Sequence, residues 1–249
     1  MSSAAPPLVR RLTAEATGTA ALVAIVVGSG IAAQQLSPDD IGLQLLENST
    51  ATVLGLAVLI LMFGPVSGAH FNPAVSVADW LAGRRTGTGL TAIEAAAYSA
   101  AQTIGAIAGA ILANAMFDQA AVQFSTHDRV TTGHLIGEMV ATSGLIALIF
   151  TLARTGRTTL APAAVAAWIG AAYWFTSSTS FANPAVTLGR ICTDTFAGIA
   201  PTSAPGFIAA QLLGALTGLG LVALLYPPLP EAADPAADRV LLPRPGMTD

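Results

Sequence analysis

From Ser67 to Val75 the chain reads Ser-Gly-Ala-His70-Phe71-Asn72-Pro73-Ala74-Val75, and later Ala182-Asn183-Pro184-Ala185-Val186. Each Asn-Pro-Ala triplet has the chemistry of a helix start. Asn caps free N–H groups of the first turn, while Pro at the first helical position has no N–H to waste and a φ preset near the helical value. After Asn72 the sequence stays compatible with a helix to about Gly83. That is roughly 12 residues, or ~18 Å, against a hydrocarbon core of ~30 Å. Such a segment cannot span a bilayer. It must enter, turn near the centre and return to the face it came from, and the second copy must do the same from the other face. Re-entrant backbone is tolerated in a membrane only where protein covers it or water lines it.

The rest of the chain demands a membrane. Of 249 residues, 53% are apolar and 10% charged, with mean hydropathy +0.67, whereas a soluble domain carries about 25% charge. An ordinary soluble enzyme and a disordered chain are both excluded. All ten cations are Arg and the net charge is −4, so a nucleic-acid partner has no electrostatic support. A single Cys192 excludes an intrachain disulfide framework, and three scattered histidines (His70, His127, His134) argue against a metal site. Nothing in the sequence calls for a cofactor.

Unbroken apolar runs predict six spanning helices, roughly Leu12–Ala33, Ser49–Val66, Leu90–Phe117, Thr132–Leu152, Leu160–Ser178 and Ala204–Tyr226. The first resembles a signal peptide but is too long for an h-region and contains Glu15. Six spans put both termini on one side. Arg10, Arg11, Arg84, Arg85, Arg154, Arg157, Arg239 and Arg244 fall on that side, Arg129 and Arg190 on the other. The positive-inside bias therefore predicts cytoplasmic termini in a multi-pass plasma-membrane protein. Asp39, Asp40 and Glu47 are expected in the first outer loop. The Pro-rich tail, 227–249, reads as a solvated, disordered cytoplasmic end.

The two halves repeat in order. Glu15 and Thr19 match Glu138 and Thr142, the two Asn-Pro-Ala-Val strings match, and Gln102-Thr-Ile-Gly105-Ala106 matches Gln211-Leu-Leu-Gly214-Ala215, at offsets of 123, 111 and 109 residues. The organisation is a first repeat over 1–117, a connecting outer loop over 118–131, a second repeat over 132–226 and the tail. Three spans per half is odd, so the repeat is inverted and a site is expected at the midplane between the halves. Two helix N-termini would meet there. Each carries about half a positive charge and repels a monovalent cation by ~1.7 kcal/mol at ~5 Å and a dielectric of ~20. The amides of Asn72 and Asn183 can donate to an uncharged oxygen-bearing solute.

On Ser67–Val75 and its second copy, the chain resembles the major intrinsic protein family, the aquaporins and aquaglyceroporins, over nearly its whole length except the tail. That resemblance implies an all-α membrane fold of six spans and two half-helices, a pore in each subunit, a homotetramer and no enzymatic activity. It also implies an outer filter of four side chains. Counting from the Asn-Pro-Ala motifs assigns these to Thr52, Ala171, Ser180 and Val186. Water-selective members usually show an aromatic, a His and an Arg there, and all are missing here. The expectation is a wide, uncharged constriction that favours larger neutral solutes. Val at this position together with Thr193-Asp-Thr-Phe-Ala-Gly-Ile199 is similar to bacterial members associated with arsenite and antimonite passage.

Arg190 lies one turn beyond Val186. It reads first as a cation near the half-helix C-terminus, paired with Asp194 at i+4; the alternative is a replacement filter cation reaching the outer vestibule. His70 is expected at the cytoplasmic vestibule. Glu15 and Glu138, with Gln102 and Gln211, are expected to support the re-entrant loops rather than relay protons. The function expected is a passive channel for water, glycerol-like polyols and arsenite or antimonite. The alternatives are a water-selective channel, an ion-coupled transporter working through Glu15 and Glu138, or an intramembrane enzyme, for which no Ser–His or paired-carboxylate arrangement is present.

Overall fold

A computed structural model describes residues 6–84 and 87–226. The helices are α1 (Leu8–Leu36), α2 (Ile41–Ser67), α3 (Pro73–Gly83), α4 (Ala92–Met116), α5 (Thr132–Arg154), α6 (Ala161–Phe175), α7 (Pro184–Gly189) and α8 (Ala204–Leu225), with 3₁₀ turns at Thr158–Leu160 and Arg190–Cys192. Among the described residues every regular element is helical. The tail 227–249, with Arg239 and Arg244, and Arg85 lie outside the described residues.

Helices α1, α2, α4, α5 and α8 are long and apolar enough to cross a membrane. The fifth expected span is shorter than anticipated, because α6 has only 15 residues. Its expected last residues, Thr176–Ser178, open a Ser/Thr run to Ser180 whose hydroxyls bind backbone instead. Thr176 Oγ1 donates to Ala172 O, and Ser178 Oγ accepts from Ser180 N. Such side-chain bonds compete with helix continuation.

Helix α2 starts eight residues earlier than the apolar run, at Ile41. Asp40 caps it by accepting from Leu43 N at 2.9 Å, a cap worth about 1 kcal/mol. Its polar first turns are satisfied by α1: Asn48 Nδ2 donates to Val26 O and Gln44 Nε2 to Ser37 O, both at 2.8 Å. Glu47 is therefore helical rather than in the outer loop, and accepts from Ser37 Oγ. Helix α4 opens with a capping box made by Thr91 and Glu94, and Glu94 forms an ion pair with Arg11.

The repeat governs the packing. A Cβ built on Gly105 would lie 2.2 Å from Ala16 O, and on Gly109 2.2 Å from Ala20 O. In the second half, Gly214 and Gly218 meet Met139 O and Ser143 O at 2.5 Å. Helices α1 and α4, like α5 and α8, thus touch backbone to backbone, which only glycine permits.

Candidate functional site

The half-helices α3 and α7 begin at Pro73 and Pro184, capped by Asn72 and Asn183. Asn72 Oδ1 accepts from Ala74 N, and Asn183 Oδ1 from Ala185 N and Val186 N. The side-chain nitrogens cross between the halves. Asn72 Nδ2 donates to Ala182 O and Asn183 Nδ2 to Phe71 O, each at 2.7 Å. The two N-termini therefore meet. The halves are unequal, however: α7 has six residues where α3 has 11, and the second segment continues only as the 3₁₀ turn Arg190–Cys192.

The loops feeding these caps adopt left-handed backbone at matching positions. Ala69 and Phe71 have φ 49°, Ser180 has 51° and Ala182 has 48°. Such values in non-glycine residues cost about 1–3 kcal/mol each and persist only where the surroundings impose them. A buried carboxylate stands behind each loop. Glu15 accepts from Ser67 Oγ, His70 N, Phe71 N and Gln102 Nε2 at 2.6–3.0 Å. Glu138 accepts from Phe181 N, Ala182 N and Gln211 Nε2 at 2.6–2.8 Å. An ionised carboxylate is acceptor-only, and these donors engage both oxygens of each.

Between the halves runs a cavity of about 60 Å³, large enough to hold water. Its apolar wall includes Leu22, Val26 and Leu56 and, from the second half, Leu145, Ile149 and Ile169. Its polar groups are His70, Asn72, Asn183, Thr52, Tyr173, Ser180 and Arg190. His70 Nδ1 lies 3.1 Å from Ser76 Oγ, and its ring centroid is 5.4 Å from that of Tyr98.

Thr52, Ser180 and Val186 line this cavity; Ala171 does not. Ala171 is exposed on the outer surface of α6. The inward face of α6 is Val165, Ile169 and Tyr173, and two residues back from Tyr173 is about 200° around the helix. Counting back from Asn183 assumed a loop of fixed length, and the Ser/Thr loop spoils the count. Tyr173 occupies the lining instead, its OH 3.2 Å from Thr52 Oγ1. The four-residue spacing of Val165, Ile169 and Tyr173 was the signal that could have found it.

The Arg190–Asp194 pair also gives way. Arg190 is 2% exposed and lines the cavity, its Nε donating to Ala197 O. Asp194 accepts from Thr126 N and Oγ1 at 2.8 and 3.1 Å. The change from α-helix to 3₁₀ turn at Arg190 removes the i,i+4 register the pair required. The lining is therefore not uncharged. Phe181 was also missed: Arg190 Cζ lies 3.4 Å and Arg129 Cζ 5.4 Å from its ring centroid.

Crossed caps at the meeting of two half-helices, inside an inverted repeat of membrane helices, define a channel protein. The family model described as "Major intrinsic protein" matches residues 2–180, and the chain belongs to that family. It is 50% identical over 221 residues to the aquaglyceroporin AqpS of Rhizobium meliloti, covering 89% of this chain and 92% of that one. It is 33% identical to the glycerol uptake facilitator protein of Pseudomonas aeruginosa, covering 95% and 96%. The aquaglyceroporin of Plasmodium falciparum, known from an X-ray structure, shares the fold, with TM-score 0.64 at 19% identity over 93% of this chain and 99% of that one. The protein is a membrane channel for small neutral solutes and not an enzyme.

Proposed function

We propose that the chain passes small uncharged polyols of glycerol size, with neutral trihydroxy metalloid acids (arsenite and antimonite at neutral pH) using the same path. The crossed asparagines carry this reading. Each Nδ2 spends one N–H on the opposite loop, leaving its second for a passing oxygen. Facing them is an apolar wall suited to the carbon side of a polyol. The names of the two sequence relatives support glycerol as the reference solute. The donors gathered on Glu15 and Glu138 favour passive flow over coupling, since both oxygens of each carboxylate are committed to the loops and the glutamines. Those two glutamates, with Gln102 and Gln211, hold the loops. Thr52, Tyr173, Ser180 and Val186 form the narrow outer part.

The reading extends to placement. The two repeats, 1–117 and 132–226, joined by 118–131, sit in the plasma membrane with both termini and the 227–249 tail cytoplasmic, following the Arg bias. The subunits form a homotetramer, as in the family the chain belongs to. Native mass spectrometry and protease access to the termini test these points.

Stopped-flow light scattering on proteoliposomes tests the solute. Glycerol and arsenious acid should enter faster than in empty vesicles, at rates indifferent to imposed proton or sodium gradients. Glycerol entry no faster than in empty vesicles, or entry that tracks the proton gradient, rejects the proposal.

A further inference from the structure

Val186 leaves its wall of the pore without the cation that the resemblance leads one to expect. Arg190, one turn farther along, lines the same cavity. Its guanidinium carbon lies 3.4 Å over the Phe181 ring centroid, and its Nε is bound to Ala197 O. Among the described residues its terminal amino groups meet no acceptor, although they carry four of its five N–H. Among the described residues no carboxylate forms an ion pair with it: Asp194 is turned to Thr126, and Glu138 acts on it only through space. Ser180 Oγ, also in the lining, is 3% exposed as a residue and has no partner. A buried hydroxyl left open is costly, so Ser180 Oγ, in the same cavity lining as the Arg190 guanidinium, points to something that completes it.

Anchoring of the loop after α7 uses Arg190 Nε, on Ala197 O, and does not call on the terminal amino groups. The repeat position matching Arg190 is Asp79, which anchors the loop after α3 by accepting from Leu90 N at 2.7 Å. The first half does that task with a carboxylate. A cation in the second half does something more.

We propose that Arg190 supplies the pore's cation from one turn beyond the usual place, and that with Ser180 it docks hydroxyl-bearing neutral solutes at the outer constriction. The guanidinium donates to solute oxygens and Ser180 Oγ accepts a solute hydroxyl proton. The fixed charge also raises the barrier to cations, leaving the small Val186 to keep the opening wide. The inference rests on the channel reading and names the residue that discriminates within it.

Thiol labelling tests it without touching Arg190. In a Cys192→Ala background, Ser180→Cys is reacted from outside with anionic and cationic methanethiosulfonates of similar size, each rate normalised to a free thiol. A unit charge in the same cavity lining should favour the anionic reagent by at least about tenfold, less at high salt. In Arg190→Gln the bias should fall severalfold, Arg129 being left in place near Phe181, and in Arg190→Lys it should persist. Equal rates, a cationic preference or no reaction with either reagent overturns the proposal. Should Arg190→Gln fail to fold, the first comparison still decides. Glycerol flux through the unmodified channel, measured in parallel, separates the two readings. Flux without the charge bias rejects Arg190 alone, and bias without flux rejects the solute assignment alone.

Discussion

Asn72 and Asn183 are tied crosswise, each side-chain nitrogen 2.7 Å from a carbonyl of the other's loop, Ala182 O and Phe71 O. The pore centre is thus a single hydrogen-bonded unit rather than two abutting helix ends. Asn183→Ala removes the cap of α7 and leaves Phe71 O without its donor. The loss should be about 2–4 kcal/mol, one for the cap and the rest for a buried unpaired carbonyl. Because the two residues share the unit, the Asn72→Ala/Asn183→Ala double variant should lose clearly less than the sum of the singles. Thermal unfolding in detergent measures both, and strict additivity would deny the coupling.

Glu15 bears on the same unit from behind. Glu15→Ala strands His70 N and Phe71 N in a buried site, at ~1–3 kcal/mol for each. Two left-handed residues, Ala69 and Phe71, lose their restraint with it. Glu15→Gln keeps one acceptor oxygen and should lie between the two. Solute flux should fall in the order wild type, Gln, Ala. An Ala variant with full flux and unchanged melting temperature contradicts the loop-supporting role.

The helix contacts separate two kinds of glycine. Gly105→Val drives a side chain into Ala16 O and should destabilise by roughly 1–3 kcal/mol or more. Gly220→Ala on α8 meets nothing within 4 Å and should be neutral or gain up to ~1 kcal/mol from helix propensity. Comparable melting temperatures for the two variants would be inconsistent with backbone contact between α1 and α4.

Acid should loosen the outer loop through Asp194. The backbone N–H of Thr126 holds its carboxyl below the ordinary carboxylate range. A depressed folded value means the contribution is complete above the unfolded pKa of ~3.9 and is lost as pH falls through the folded one. Asp194→Ala should therefore melt below wild type at pH 7, and the gap should close below about pH 4. A gap that stays constant down to pH 3 would remove the ionised carboxylate from the account.

The fold was legible because its decisive information is local and repeated. A cap, a proline and a length too short to span are all visible in Asn72–Gly83, the order of the matches shows the repeat, and three spans per half invert it. Polar turns hid the start of α2, since Asn48 is satisfied by a carbonyl of α1 and Gln44 by that of Ser37 just after it, which hydropathy cannot see. The site was less legible where it depended on loop geometry. Ala171 was placed by counting across the Thr176–Ser180 loop, and Arg190 by assuming an α-helical register that ends at Gly189. A residue on a helix can be placed by period, but one beyond an irregular turn cannot.

Tyr173 and Ala171 offer the sharpest test of that correction, because they sit two residues apart on α6 and face opposite ways. Ala171→Leu adds bulk to an exposed surface and should leave the ratio of glycerol to water permeability within about twofold. Tyr173→Phe removes the hydroxyl partnered by Thr52 Oγ1 at 3.2 Å without changing ring volume. A solute that exchanges water for these hydroxyls loses about one net hydrogen bond, ~1 kcal/mol, which is roughly fivefold in rate. Glycerol presents three hydroxyls to the lining and water far less surface, so the ratio should fall. Tyr173→Ala opens the constriction instead, and should raise passage of solutes bulkier than glycerol while barely altering water. Stopped-flow measurements on the three variants in matched proteoliposomes read all of this. If Ala171→Leu shifts the ratio and Tyr173→Phe does not, the constriction is lined by the residue that counting from Asn183 selects, and α6 is turned about its axis from the orientation described.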